Sequence, residues 1–182
     1  KVGQAFSLDG TDDYVRLPAS ASLDVGQGEG LSIEAWISPS KPGAYPIVEW
    51  SLPSTGYPYG AHFWLSHPWC SSCSLFANLV DVDGNSHYLD ATGVVSLGKF
   101  HHVAITYDKA SGVARLFLDG VRVREANLGT FTPQTSFDAY LGRRPPGDMF
   151  GRVFPGQLDE VSIYNRALAL AEIESLYAAG RA

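Results

Sequence analysis

His101-His102-Val103-Ala104-Ile105-Thr106-Tyr107, Ala114-Arg115-Leu116-Phe117-Leu118 and Val121-Arg122-Val123-Arg124-Glu125 follow one another at short intervals in the second half of the chain. Lys109-Ala110-Ser111-Gly112 separates the first two runs and Asp119-Gly120 the last two. An Asp-Gly pair between alternating runs marks a tight hairpin, because both turn residues must adopt positive φ. The stretch therefore reads as an antiparallel meander. Leu31-Ser32-Ile33-Glu34-Ala35-Trp36-Ile37-Ser38 repeats the pattern upstream, with Leu31, Ile33, Ala35 and Ile37 alternating against Ser32, Glu34, Trp36 and Ser38.

Shorter strand candidates are Phe6 to Leu8, Tyr14 to Leu17, Ile47 to Trp50, His62 to Leu65, Ser74 to Val80, Ser86 to Leu89, Ala139 to Leu141 and Gln157 to Tyr164. Strands at this spacing, with turns between them, imply a two-sheet sandwich rather than βαβ units. Only the tail has helical spacing: Leu168, Ile173, Leu176 and Tyr177 fall on one side of a helix over Leu168 to Ala179, and Gly180 supplies a stop. The sequence predicts an all-β, two-sheet antiparallel sandwich with a short C-terminal helix, forming one domain over residues 1–182.

Composition agrees. Hydrophobic residues make up 45% and charged residues 18%, enough for a real core, while 19 Gly and 11 Pro belong with many turns. The formal net charge of −6 comes with no Lys/Arg cluster, which argues against nucleic acid and anionic membrane partners. No apolar run approaches the roughly 20 residues of a bilayer span. The chain starts Lys1-Val2-Gly3, without Met, and is expected to be cut from a longer protein.

Phe6-Ser7-Leu8-Asp9-Gly10 with Asp13-Tyr14-Val15, Ile33-Glu34-Ala35-Trp36-Ile37, His101-His102-Val103-Ala104 with Thr106-Tyr107-Asp108, Leu118-Asp119-Gly120, Leu141-Gly142-Arg143, and Leu158-Asp159-Glu160-Val161 with Ile163-Tyr164-Asn165-Arg166-Ala167-Leu168 run in one order from end to end. In this ordered set the chain resembles the laminin-G-like jelly-roll modules of the concanavalin A-like lectin and glucanase superfamily. Two positions depart from that pattern. Phe100 stands where the family often has Trp, and Ala169 where it has a Ser helix cap, which weakens the helix start by about 1 kcal/mol. The resemblance implies a jelly roll with first and last strands adjacent, and it places ligand specificity in the variable region from Tyr45 to Tyr88.

Acidic residues beside turn-forming glycines flank both of those strands. With the strands adjacent, Asp9 and Asp159 are expected to meet, joined by oxygens near Thr11 and Asp12, in a structural calcium site. The alternative is that Asp9 and Asp12 make Asx turns while Asp159 pairs with an Arg. Cys70-Ser71-Ser72-Cys73 lacks the βαβ setting of a redox motif. A local Cys70–Cys73 disulfide is the preferred reading, with zinc held by His67, Cys70, Cys73 and a further ligand such as His62 as the alternative. A disulfide favours an exported protein.

The aromatic run between Trp50 and Trp69 is the candidate ligand surface, since aromatic faces stack on sugar rings while polar groups bond hydroxyls. Trp50 and Trp64 can equally be core residues, so Tyr57, Tyr59 and Trp69 are the candidates, with Asp81, His87 and Arg143 as polar partners. Asp83-Gly84-Asn85 also reads simply as a hairpin turn. No catalytic residue is assigned: His101 and His102 point to opposite faces of a strand, and the spaced carboxylates of the family's glucanases are absent. The expectation is a non-catalytic, calcium-stabilised carbohydrate-binding or adhesion module of a larger secreted or cell-surface protein. It is expected to be monomeric in isolation and to bind carbohydrate or cell-surface glycan. The alternatives are a protein-interaction or spacer module contacting neighbouring domains and, less favoured, a polysaccharide hydrolase or lyase.

Overall fold

Alternation of apolar and polar residues sets the strands, and a computed structural model describes them for residues 4–52, 59–66, 74–93, 95–145 and 152–181. Among the described residues twelve strands form two six-stranded sheets in which every pairing is antiparallel. The first sheet comprises β1 (Phe6–Asp9), β3 (Gly30–Pro39), β8 (His101–Asp108), β9 (Val113–Leu118), β10 (Val121–Asn127) and β12 (Pro155–Tyr164), in the order β1-β12-β3-β8-β9-β10. The second comprises β2 (Val15–Leu17), β4 (Pro46–Ser51), β5 (Tyr59–Trp64), β6 (Ser74–Asn78), β7 (Tyr88–Thr92) and β11 (Asp138–Leu141), in the order β2-β11-β4-β5-β6-β7. The fold is a jelly-roll sandwich. The 101–125 meander is β8-β9-β10, with Asp119 in the left-handed region (φ 51°) at its hairpin tip.

The core lies between the sheets: Leu31, Ile33, Ala35, Ile37, Val103, Ile105 and Leu116 meet Ile47, Trp50, Ala61, Phe63, Leu75 and Ala139. Ser32, Glu34 and Trp36 on the other face of β3 are buried as well. The reason is helix α1 (Leu170–Ala179), which begins two residues later than the sequence predicts and lies over the outer face of the first sheet. Leu168 and Ile173 cluster with Ala104 and Phe117, and Tyr177 stacks on Trp36 with ring centroids 5.8 Å apart. Among the described residues no helix is long and apolar enough to cross a membrane.

First and last strands are neighbours, as expected, through Phe6↔Leu158, Leu8↔Gly156 and Asp9↔Pro155. Gly156 is required there: its φ is +142°, and a Cβ would lie 2.2 Å from the Ser38 carbonyl oxygen. The chain then passes from β1 to β2, so the turn from Gly10 to Tyr14 carries it from one sheet to the other.

Candidate functional site

With α1 covering the first sheet, the outer face of the second is one that no helix covers among the described residues, although Glu49, His62, Trp64, Phe76 and Tyr140 on it are buried and only its two ends reach solvent. Its register aligns one residue from each strand: Arg16 opposite Tyr140, then Glu49, His62, Asn78 and Tyr88. At about 4.8 Å per strand this row spans roughly 24 Å. A second row runs Trp64, Phe76, Asp90. Adjacent aromatic centroids lie 5.4 Å (Tyr59–His62), 5.7 Å (His62–Trp64), 5.9 Å (His62–Phe76) and 6.2 Å (Phe76–Tyr88) apart.

The centre of this face is a closed polar cluster. Glu49 is fully buried; its Oε1 accepts from Arg144 Nε at 2.7 Å and its Oε2 from Trp64 Nε1 at 2.9 Å. The Arg144 guanidinium lies over both the Trp64 ring (4.4 Å) and the Tyr59 ring (4.7 Å), which fixes both aromatics. Burial, and then the Arg144 charge, push the His62 pKa down to about 3, so the ring is neutral. Its Nδ1 faces the Gly60 carbonyl at 3.0 Å and carries the proton.

The two ends of the row are open. Tyr88 is 59% exposed, and Asp90 stands two residues along on the same face of β7. At the opposite end Arg16 pairs with Asp138 at 2.6 Å, and Arg143 lies over the Tyr14 ring at 4.6 Å while donating to the Asp12 carbonyl.

Of the residues singled out from sequence, Tyr59 starts β5 rather than sitting in a loop, and it lines a cleft with Asp81. Asp81 is mostly engaged internally. It accepts from the Asp83 and Asn85 backbone N–H groups and from the Asn85 amide, and it pairs with His87 Nε2 at 2.9 Å. Burial opposes ionisation, but these bonds prevail and bring its pKa to about 2. His87 stacks on Phe131 at 3.7 Å. Asp81 and His87 therefore hold the 81–87 turn instead of presenting two free ligand groups. Tyr57, Trp69, Cys70 and Cys73 lie outside the described residues, so the disulfide and two of the three aromatic candidates fall there.

The expected meeting of Asp9 with Asp159 requires correction. Asp9 faces Pro155, and Asp159 lies four residues further along β12, about 13 Å at 3.3 Å per residue. The sequence pattern starts the last strand at Gln157, with Asp159 near its entry, whereas β12 begins at Pro155 and Asp159 lies well inside it. Asp159 is instead buried, with Oδ1 accepting from the Glu160 N–H and no partner for Oδ2 among the described residues. What the β1–β2 turn assembles is Asp9, Asp12 and Asp13, all exposed, with carboxylate oxygens within 4.8 Å of one another. Asp9 Oδ1 accepts from the Thr11 and Asp12 N–H groups, so the Asx turn also exists, and the Thr11 bond leads the causes that lower the Asp9 pKa.

His101 and His102 do point apart. His102 is buried beneath α1 and bonded to Glu34 Oε2 at 2.9 Å. His101 lies between Ser96 Oγ (2.7 Å) and Asp119 Oδ2 (2.8 Å). That order matches a hydrolytic relay, but Asp119 also accepts the His102 N–H at 3.0 Å and thereby clamps the β9–β10 hairpin to β8.

A family model described as the concanavalin A-like lectin/glucanases superfamily, Laminin_G_3, matches residues 9–174. The chain belongs to this superfamily. Among solved structures, the lectin-like fold recurs in the Ruminococcus gnavus IT-sialidase CBM40 bound to alpha2,3 sialyllactose, at 17% identity and a TM-score of 0.72, covering 96% of this chain and 98% of that one. The SAP-like pentraxin of Limulus polyphemus matches at 16% identity and TM-score 0.64, covering 94% and 80%. The NanB sialidase of Streptococcus pneumoniae matches at 17% and 0.74, covering 95% of this chain but 27% of that one. Comparison with curated protein sequences finds no match. At these identities the structural likeness establishes the fold.

Proposed function

We propose that this chain is a non-catalytic carbohydrate-binding module of a larger extracellular protein, and that it binds glycan on the outer face of the second sheet. The observation that carries the reading is the exposed end of the aromatic row: Tyr88, 59% exposed and beside Asp90, packs on buried Phe76, and the row behind it is held by the Glu49–Arg144 pair. An exposed ring fixed on a buried aromatic base, with a carboxylate beside it, suits sugar rings, whose C–H faces stack while hydroxyls bond to carboxylates. The sialyllactose-bound R. gnavus module, alike over nearly its whole length, supports it. A glycan array followed by titration calorimetry tests it. Tyr88→Ala is expected to weaken binding about fivefold without lowering the melting temperature; no glycan bound at millimolar concentration would reject the reading.

A spacer reading has one observation in its favour, an apolar groove along α1 lined by Tyr164, Leu168, Ala171, Leu176 and Ala179, suited to a neighbouring domain. The enzyme reading rests on Ser96–His101–Asp119, and labelling of Ser96 by a fluorophosphonate would revive it. Calcium is part of the proposal, with Asp9, Asp12 and Asp13 as ligands in the β1–β2 turn. The fit lies in three carboxylates gathered at one turn, none of them in an ion pair among the described residues. Calcium would neutralise their mutual repulsion.

A further inference from the structure

Adjoining the aromatic row through Tyr59, the end of the second sheet carries a cleft of about 310 Å³ lined by Tyr59, Val80, Asp81, Asp83, Gln134 and Phe137 among others. Its walls are fixed. Arg144 holds the Tyr59 ring, the Gln134 N–H bonds to the Val80 carbonyl at 2.7 Å, and the Val82 N–H bonds to the Thr132 carbonyl at 3.0 Å. Asp81 anchors the 81–85 turn through its bonds to Asp83 and Asn85.

Three features of the lining select a ligand. Tyr59 and Phe137 supply aromatic surface, and both are partly exposed. Asp83 is exposed, and its carboxylate has no partner among the described residues, so it is a free acceptor. Gln134 supplies a donor: its Oε1 accepts the Ser136 N–H (3.1 Å) and hydroxyl (2.7 Å), which fixes the amide orientation and leaves Nε2 available. An acceptor, a donor and aromatic walls in a cleft at the small end of the usual range match one pyranose ring. The lining holds two carboxylates and neither Lys nor Arg, and Arg144 behind Tyr59 is neutralised by Glu49. A sugar carrying its own carboxylate would meet like charge without a counter-cation.

We propose that this cleft is a subsite for one neutral pyranose residue and that it discriminates against acidic sugars; the inference rests on the carbohydrate-binding reading. The test is a titration of the isotope-labelled chain, followed by amide NMR. Galactose, glucose and N-acetylglucosamine are compared with glucuronic acid and N-acetylneuraminic acid. At least one neutral sugar is expected to shift the Asp83, Gly84 and Gln134 amides, and the acidic sugars to bind at least about tenfold more weakly. Asp83→Asn and Gln134→Ala should each weaken the neutral sugar about tenfold, and Asp83→Asn should narrow the gap to the acidic sugars. Asp83 is exposed and Gln134 half-buried, and an unchanged melting temperature of each variant confirms folding. Shifts confined to Tyr88 and Asp90 would overturn the subsite while leaving the carbohydrate reading intact. Acidic sugars binding the cleft as tightly as neutral ones would overturn the selectivity, and no shift with any sugar would remove both.

Discussion

His62 shows how the closed centre of the platform makes itself measurable. Its ring is buried beside Arg144, and its pKa falls from the ordinary 6.5 to about 3. Well above pH 6.5 the ring is neutral whether the chain is folded or not, and it contributes no pH dependence. As the pH drops from 6.5 toward 3 the unfolded chain takes up a proton that the native ring refuses, so stability falls, by up to about 1.4 kcal/mol per pH unit. His62→Asn removes this titration. In urea unfolding between pH 6.5 and 4.5, the stability of the parent chain is expected to decline more steeply than that of the variant; parallel slopes would mean that His62 is not held neutral. Sequence alone gives neither Glu49 nor Asp13 a site role. A charged Glu inside the apolar run Ile47 to Trp50 was a signal available for the first, because a charge in a strand interior needs a buried partner. Its partner Arg144 is 95 residues away, and only the sheet register brings the two together.

Helix α1 is the element that assigns roles to the two sheets, and its start is its weak point. Ala169 occupies the cap position with extended backbone (φ −73°, ψ 158°) and no side-chain oxygen to offer. Glu172 compensates in part: its carboxylate accepts the Ala169 N–H at 2.9 Å and is gripped by Arg166 at 2.6 and 2.8 Å. The Arg166 bond is the leading reason that the Glu172 pKa drops to about 2. Because the backbone at Ala169 already has cap geometry, Ala169→Ser is expected to stabilise the protein by about 1 kcal/mol. A higher urea midpoint at unchanged slope would be the evidence, and no gain would place the limiting weakness elsewhere. The strands with strict alternation, β3 and β8 to β10, stand where the sequence predicts them, because one inward face and an Asp-Gly turn leave little freedom of register. β5 was misplaced by several residues, since Tyr59 and Gly60 belong to it although their Pro- and Gly-rich neighbourhood reads as loop. Periodicity also left unseen that β3 is buried on both faces, because a covering helix leaves no mark on the strand it covers.

For the sandwich as a unit, the β1–β2 turn is the connection that matters. β1 lies at an edge of the first sheet and β2 at an edge of the second, so an ion held by Asp9, Asp12 and Asp13 would staple the two sheets rather than join the chain ends. Adjacent end strands were correctly foreseen, but the strand register, invisible in sequence, carries Asp159 away from the turn. The two arrangements make opposite predictions. If calcium binds the native turn and not the unfolded chain, saturation at about 100 times the dissociation constant adds roughly 2.7 kcal/mol. Melting curves with calcium and with chelator should then differ by several degrees. Asp13→Asn and Asp9→Asn are expected to abolish that difference, whereas Asp159→Asn leaves it in place even though it lowers the melting temperature under both conditions. Loss of the calcium effect in Asp159→Asn alone would restore the end-strand site, and identical curves for the parent chain would remove calcium from the account altogether.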